Sequence, residues 1–309
     1  MRRTNTTNFL LILLAAVVVG LLWTPAALAQ ATSPQAPSPQ ATSAQATSVQ
    51  ADKLSNMTSH IGKLTGRAED ADMQYRRYCV GCHGDIGNGE GENAQWLDPK
   101  PRNFTLGIFK CRSTPTGTLP TDQDLYDTIG RGLVTSNMPQ WIPLTDQERA
   151  NLVAKVKSFS PRFATEKPGT PIQIPPEPQV TAAELKEGKE VYDRVQCWKC
   201  HGRTGRGDGP SASTLTDDQG VPIKPYNFHD ETRFKCGSSD EDLYRIFMTG
   251  LDGTPMPSWS DNIKPDEAWA LVLYLRTLQP IHSKEKEIAK QIGLNSTTST
   301  TTPAATPQK

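Results

Sequence analysis

The 309-residue sequence has no excess charge, since Lys plus Arg and Asp plus Glu both total 33. That balance gives no electrostatic case for nucleic acid or for an anionic membrane surface as a partner. Histidine is scarce, at five residues, and cysteine nearly so, at six, so metal or redox chemistry has few side chains to draw on. No segment shows sustained period-two alternation, which argues against a sheet-based fold. Long apolar runs are also missing. The one candidate, Phe9 to Trp23, is short for a bilayer span, which takes about 20 residues.

That apolar run reads as an export signal. Arg2 and Arg3 supply the basic start, and Ala27-Leu28-Ala29 supplies a small-residue cleavage site, so residues 1–29 form a signal peptide. Cleavage leaves a mildly anionic chain on the far side of the inner membrane, in the periplasm. If the segment stays uncut and extends through Ala26 to Ala29, it is instead a membrane anchor, the one route by which this chain would touch a membrane. Residues 30–64 are rich in Ala, Thr, Ser, Pro and Gln and read as a disordered spacer. Residues 282–309 read as a low-complexity tail.

Against this background, Cys79-Val80-Gly81-Cys82-His83 and Cys197-Trp198-Lys199-Cys200-His201 stand out. Cys-x-x-Cys-His is the signature of covalent c-type haem attachment. Two thiols one helical turn apart can add to the two vinyl groups of one porphyrin, and the next histidine is then held beneath the iron as proximal ligand. Two copies imply two covalently bound haem c groups. A zinc half-site or a redox dithiol is the other reading of Cys-x-x-Cys. The following histidine, the export signal and the second copy argue against it.

The two motifs belong to a duplication. A shift of 118 residues carries Cys79, Cys82 and His83 onto Cys197, Cys200 and His201, and Gly87, Gly89 and Gly91 onto Gly205, Gly207 and Gly209. It also carries DLY at 124–126 onto 242–244, Met138-Pro139 onto Met256-Pro257, and Trp141 onto Trp259. Lys100-Pro101 and Asn103-Phe104 match Lys224-Pro225 and Asn227-Phe228 at a shift of 124, so small insertions sit in loops.

Each half carries three helical signals in the same order. The first leads into the attachment motif, over about Glu69–Tyr78 in half one. In half two it begins at the capping box TAAE, 181–184, with Leu185, Gly188, Val191 and Tyr192 facing inward. TDQD at 121–124 and SDED at 239–242 open the second helices. TDQE at 145–148 opens a last helix ending near Phe159, and its counterpart is PDEAWALVLYLRTL, 265–278. The fold expected is all-α, with domains at 65–160 and 180–281. Six prolines between Ser160 and Gln179 forbid a helix and predict a stiff, extended linker over 161–179.

What sits opposite His83 and His201 decides whether each iron is open to substrate or closed as a carrier. Met138 and Met256 lie at the same spacing from their histidines, each before a proline, and a thioether is a suitable soft ligand. His60, His229 and His282 have no repeat partners and read as solvated loop residues, so bis-histidine ligation is not expected. Each proximal histidine should donate its other ring nitrogen to a backbone carbonyl, for which the Lys-Pro segments 100–101 and 224–225 are candidates. Trp141, Trp259, Arg102 and Tyr226 are candidates for contact with the haem propionates.

These residues resemble class I cytochromes c over about 70–160 and again over 180–280. The resemblance rests on the attachment pentapeptides, the glycine-rich loops, the DLY helices and the Met-Pro loops. It implies a compact helical domain around each haem, with terminal helices crossing, and one-electron transfer through a partly exposed haem edge. The segment FKCGSSDEDLYRIFMTGLDGTPMPSW is similar to dihaem cytochromes that accompany respiratory membrane complexes or molybdenum oxidoreductases. The function expected is a periplasmic dihaem carrier of single electrons between redox protein donors and acceptors, and not an enzyme. A dihaem enzyme of the peroxidase or thiosulfate dehydrogenase type, or a tethered subunit of a larger respiratory complex, is the alternative. Cys111 and Cys236, both preceded by Phe-Lys, depart from the simple class I pattern. They suit a disulfide joining the halves, two buried thiols, or a thiolate ligand replacing methionine. The first requires equivalent positions to meet about a pseudo-twofold axis.

Overall fold

The computed structural model describes residues 50–230, 233–280 and 283–294. The expected signal segment, most of the expected spacer, His282 and the end of the tail lie outside the described residues. Among those described, no helix is long and apolar enough to cross a membrane.

Half two shows the plan. Helix α6 (Ala182–Arg194) starts at Thr181, whose hydroxyl accepts from Glu184 N while the Glu184 carboxylate accepts from Thr181 N at 3.0 Å. Its buried face is Leu185, Gly188, Val191 and Tyr192. That face crosses helix α9 (Pro265–Leu278), which is buried from Ala268 to Leu278. Gly188 makes the close approach possible, since a Cβ there would lie 2.0 Å from Ala270 O. Between them come α7 (Trp198–His201), which carries the attachment motif, and α8 (Asp240–Thr249), opened by the Ser239–Asp242 capping box.

Half one repeats the order with one substitution. Helices α1 (Asp72–Tyr78), α2 (Val80–His83), α3 (Asp122–Arg131) and α4 (Asp146–Ser158) take the corresponding places. However, α1 has 7 residues where α6 has 13. The missing surface is supplied by a hairpin of β1 (Thr58–Ile61) and β2 (Leu64–Arg67), paired antiparallel with Ser59 opposite Gly66. The hairpin lies on α4. Ser59 Oγ donates to Ala150 O at 2.7 Å, Arg67 N to Asn151 Oδ1 at 3.1 Å, and Lys157 Nζ to Thr58 O at 2.7 Å. A Cβ on Gly66 would lie 2.1 Å from Ala150 O, the same kind of close approach that Gly188 makes in half two.

Two expected boundaries therefore move. The spacer expected over 30–64 overlaps the hairpin, because Ser59 and Ile61 alternate with exposed Thr58 and His60 and bury against α4. Four residues per strand are too few for a sequence-wide alternation to register. The tail expected over 282–309 contains α10 (Lys284–Gln291), capped by Ser283, with Ala289 buried beside Leu185 and Leu273. The other regular elements among the described residues are helical.

Between the halves, a short turn of helix, α5 (Arg162–Thr165), precedes an extended strap. The strap is tied to half one through Ile172 N to Ser113 O at 2.8 Å, and to half two through Trp269 Nε1 to Pro175 O at 3.1 Å. Cys111 and Cys236 form a disulfide, with Cα atoms 5.1 Å apart. Of the three readings of this pair, the cross-link joining equivalent positions is the one realised. Beside it Arg112, its side chain wholly buried, pairs with Asp252 of half two at 2.7 Å.

Candidate functional site

In each half the attachment helix ends in a glycine loop that turns back under the histidine. Gly89 and Gly207 have φ of +80° and +74°, and a Cβ on either would lie 2.8 Å from Pro101 O or Pro225 O. Only glycine permits both the left-handed backbone and the close approach. Gly89 N donates to His83 O at 2.9 Å and Gly207 N to His201 O at 2.8 Å, closing the loop on the histidine. From inside, Tyr75 Oη donates to Gly84 O at 2.8 Å and Tyr192 Oη to Gly202 O at 2.6 Å.

This loop presents the histidine's partner. His83 Nδ1 lies 3.1 Å from Arg102 O, and His201 Nδ1 lies 3.0 Å from Tyr226 O. Each carbonyl comes from the residue just after the Lys-Pro pair expected to provide it. The rings stack on Phe104 and Phe228, with centroids 4.3 and 4.8 Å apart. Burial pulls both imidazoles below their ordinary pKa, and the carbonyl bond only partly opposes this. Each ring is therefore neutral at neutral pH. Nδ1–H donates to the carbonyl and Nε2 keeps its lone pair, the form in which histidine ligates iron.

The methionine loops are equally matched. Leu133 N donates to Met138 O at 3.1 Å and Leu251 N to Met256 O at 3.0 Å. Met138 N donates to Ser136 Oγ at 3.3 Å and Met256 N to Thr254 Oγ1 at 3.2 Å. In half one, Cys79, Cys82, His83 and Met138 all line one cavity, walled by Tyr78, Leu125, Ile129 and Trp141. In half two, Cys197, Met256 and Trp259 are half-buried against the corresponding core. His60 and His229 are not brought to either site. His60 sits on the exposed side of β1, and His229 Nε2 lies 2.6 Å from Thr204 O.

The donor set fits a haem and does not fit zinc or a dithiol. Burial, with a smaller contribution from the neighbouring Cys82 and Cys200, pushes the Cys79 and Cys197 thiols up to about 12. A redox dithiol needs the thiolate, which this setting disfavours. Among the described residues no three His, Cys, Asp or Glu side chains gather as a metal cluster. Trp259 Nε1 is buried without a hydrogen-bond partner on the same core as Met256, an orphaned donor that a haem propionate would satisfy. Of the propionate candidates, Arg102 and Trp141 line the half-one cavity, whereas the Tyr226 hydroxyl donates to Arg233 O at 2.9 Å. The residues that sequence reasoning missed are the two tyrosine hydroxyls and Lys110 and Lys235. The repeated Phe-Lys-Cys was the signal for the lysines.

Fold and site together define a c-type cytochrome built of two tandem domains. The comparisons agree. The sequence matches the family described as cytochrome C oxidase, cbb3-type, subunit III, over residues 66–154 and 183–275, and the chain belongs to that family. It is similar to a chain of the Kuenenia stuttgartiensis reducing HAO-like protein complex, at 45% identity and a TM-score of 0.67. That match covers 68% of this chain and 96% of the other. The comparison with curated proteins found no match. The chain is an electron-transfer cytochrome with haem c as its cofactor.

Proposed function

We propose that the protein is an exported dihaem cytochrome that passes single electrons between redox proteins and carries out no catalysis of its own. The observation that carries this is the repetition of the whole ligand environment. Both halves pair a carbonyl-oriented histidine with a methionine held in the same loop geometry. When bound, each haem supplies a one-electron couple. The protein's part is to hold it by two thioethers, Cys79 with Cys82 and Cys197 with Cys200, and to ligate it from His83 and Met138 or His201 and Met256. Forming the thioethers adds each thiol across a vinyl double bond, so no leaving group departs. A side-chain ligand on both faces leaves no position for substrate, which distinguishes a carrier from a peroxidase. Cys111 and Cys236 are bonded to each other, which removes the thiolate ligation that a thiosulfate dehydrogenase reading required.

The partner is proposed to be a larger redox protein, because the similar chain in Kuenenia stuttgartiensis belongs to a reducing HAO-like protein complex. The export signal supports a periplasmic location. The test is the purified mature chain. Its mass should exceed that of the polypeptide by two haems, and the oxidised protein should show the methionine–iron charge-transfer band, halved in Met138→Ala and in Met256→Ala. A single haem, or a high-spin spectrum in the unsubstituted protein, would refute the carrier. N-terminal sequencing that finds Gln30 supports cleavage, and Met1 supports the anchor.

A further inference from the structure

The wall of the half-one cavity contains a group of cations that the ligand set does not use. Arg102, Lys110 and Lys235 all line it, and Lys235 comes from half two. The first two bear on one another and on Lys235 electrostatically, and burial adds to the effect. Lys110 is pushed down to about 8, by burial first and then by Arg102 and Lys235. Three half-buried like charges around one opening are costly unless an anion answers them. The carboxylates nearby do so poorly. Asp218 lies 3.6 Å from Arg102 Nη1, which remains buried and without a hydrogen bond. Asp98, Asp217 and Asp252 act only at longer range. Among the described residues neither lysine has an ion pair or hydrogen bond of its own.

We infer that Arg102, Lys110 and Lys235 form a carboxylate-binding site that receives the propionates of the half-one haem, so that half two completes the haem site of half one. The Cys111–Cys236 bond explains how Lys235 reaches a cavity in the other half. Each lysine immediately precedes a bridged cysteine, so the cross-link fixes both ammonium groups at the same opening. Half two has no equivalent trio, since Tyr226 stands where half one has Arg102. The two haems are therefore set in unlike electrostatic surroundings despite matching ligands. A cation beside the propionates disfavours the more positive ferric state, so the trio raises the potential of the half-one haem relative to that of half two.

The inference rests on the dihaem reading, and the experiment separates the two. Midpoint potentials of both haems are measured by spectroelectrochemical titration of the holoprotein, after mass spectrometry has counted the haems. The half-one potential is identified as the one displaced by Met138→His. Lys235→Gln and Lys110→Gln should each lower that potential and leave the other unchanged, and Lys235→Arg should restore it. Lys63→Gln, in the exposed hairpin turn, should move neither. Two haems with potentials indifferent to Lys235→Gln overturn the inference alone, as does an equal shift of both. Absence of haem from half one overturns the dihaem reading as well.

Discussion

At the scale of single residues, the site depends on backbone conformations that only one side chain permits. Gly207 has two reasons to be glycine, its φ of +74° and the Pro225 carbonyl 2.8 Å from where a Cβ would stand. Gly220 has a similar φ of +76° but open space around it. Gly220→Ala should therefore cost only the left-handed backbone penalty of about 1–2 kcal/mol. Gly207→Ala should cost more, because the loop must also withdraw from Pro225 and take the neighbouring Tyr226 carbonyl away from His201. Thermal unfolding of the two variants checks the order. The half-two midpoint potential should move in Gly207→Ala alone, since only that change disturbs the ligand's hydrogen bond.

At the scale of elements, the halves solve one packing problem in two ways. In half two a 13-residue helix crosses α9 at Gly188, and in half one a hairpin covers α4 at Gly66. If the hairpin does the work of the missing helical turns, the two glycines should be equally sensitive. Gly188→Ala and Gly66→Ala should each destabilise by about 1–3 kcal/mol through overpacking, measured by denaturant unfolding of the holoprotein. A harmless Gly66→Ala would show the hairpin to be an ornament on half one. The helices were legible in the sequence because their signals are local. Thr121, Thr145, Thr181 and Ser239 each sit three residues before the acid that completes the capping box, and all four boxes form. The hairpin was not legible, because burial of Ser59 and Ile61 depends on the face of α4, about ninety residues away in sequence. The site divides the same way. Attachment motifs and methionines follow from spacing, whereas the carbonyls that accept from the histidines fell one residue beyond the expected pairs. Nothing local to Lys235 says that it lines a cavity in the other half.

At the scale of the molecule, the seam between the halves combines a covalent bond with a buried ion pair. The disulfide closes a span of 125 residues. On a chain-entropy argument a loop of that size constrains the unfolded state by roughly 4–5 kcal/mol. Arg112 is the second tie. Its guanidinium donates to Asp252 Oδ1 at 2.7 Å, to Phe109 O at 3.2 Å and to Pro115 O at 3.3 Å, and Asp252 also accepts from Thr116 Oγ1 and Gly117 N. Asp252→Ala would leave the arginine buried with carbonyl partners alone and two half-one donors without their acceptor. The expected loss is about 3–5 kcal/mol, as when one partner of a buried pair is removed. The two ties act on different states, the disulfide on the unfolded chain and the ion pair on the folded seam. Reduction and Asp252→Ala should therefore be close to additive in unfolding free energy if the seam persists without the cross-link. A combined loss well below the sum would mean that reduction alone already parts the halves at Arg112. In that case the bond, and not the polar contacts, is what keeps half two positioned over the half-one cavity. Chemical denaturation of the oxidised and reduced forms, with and without the substitution, distinguishes the two outcomes.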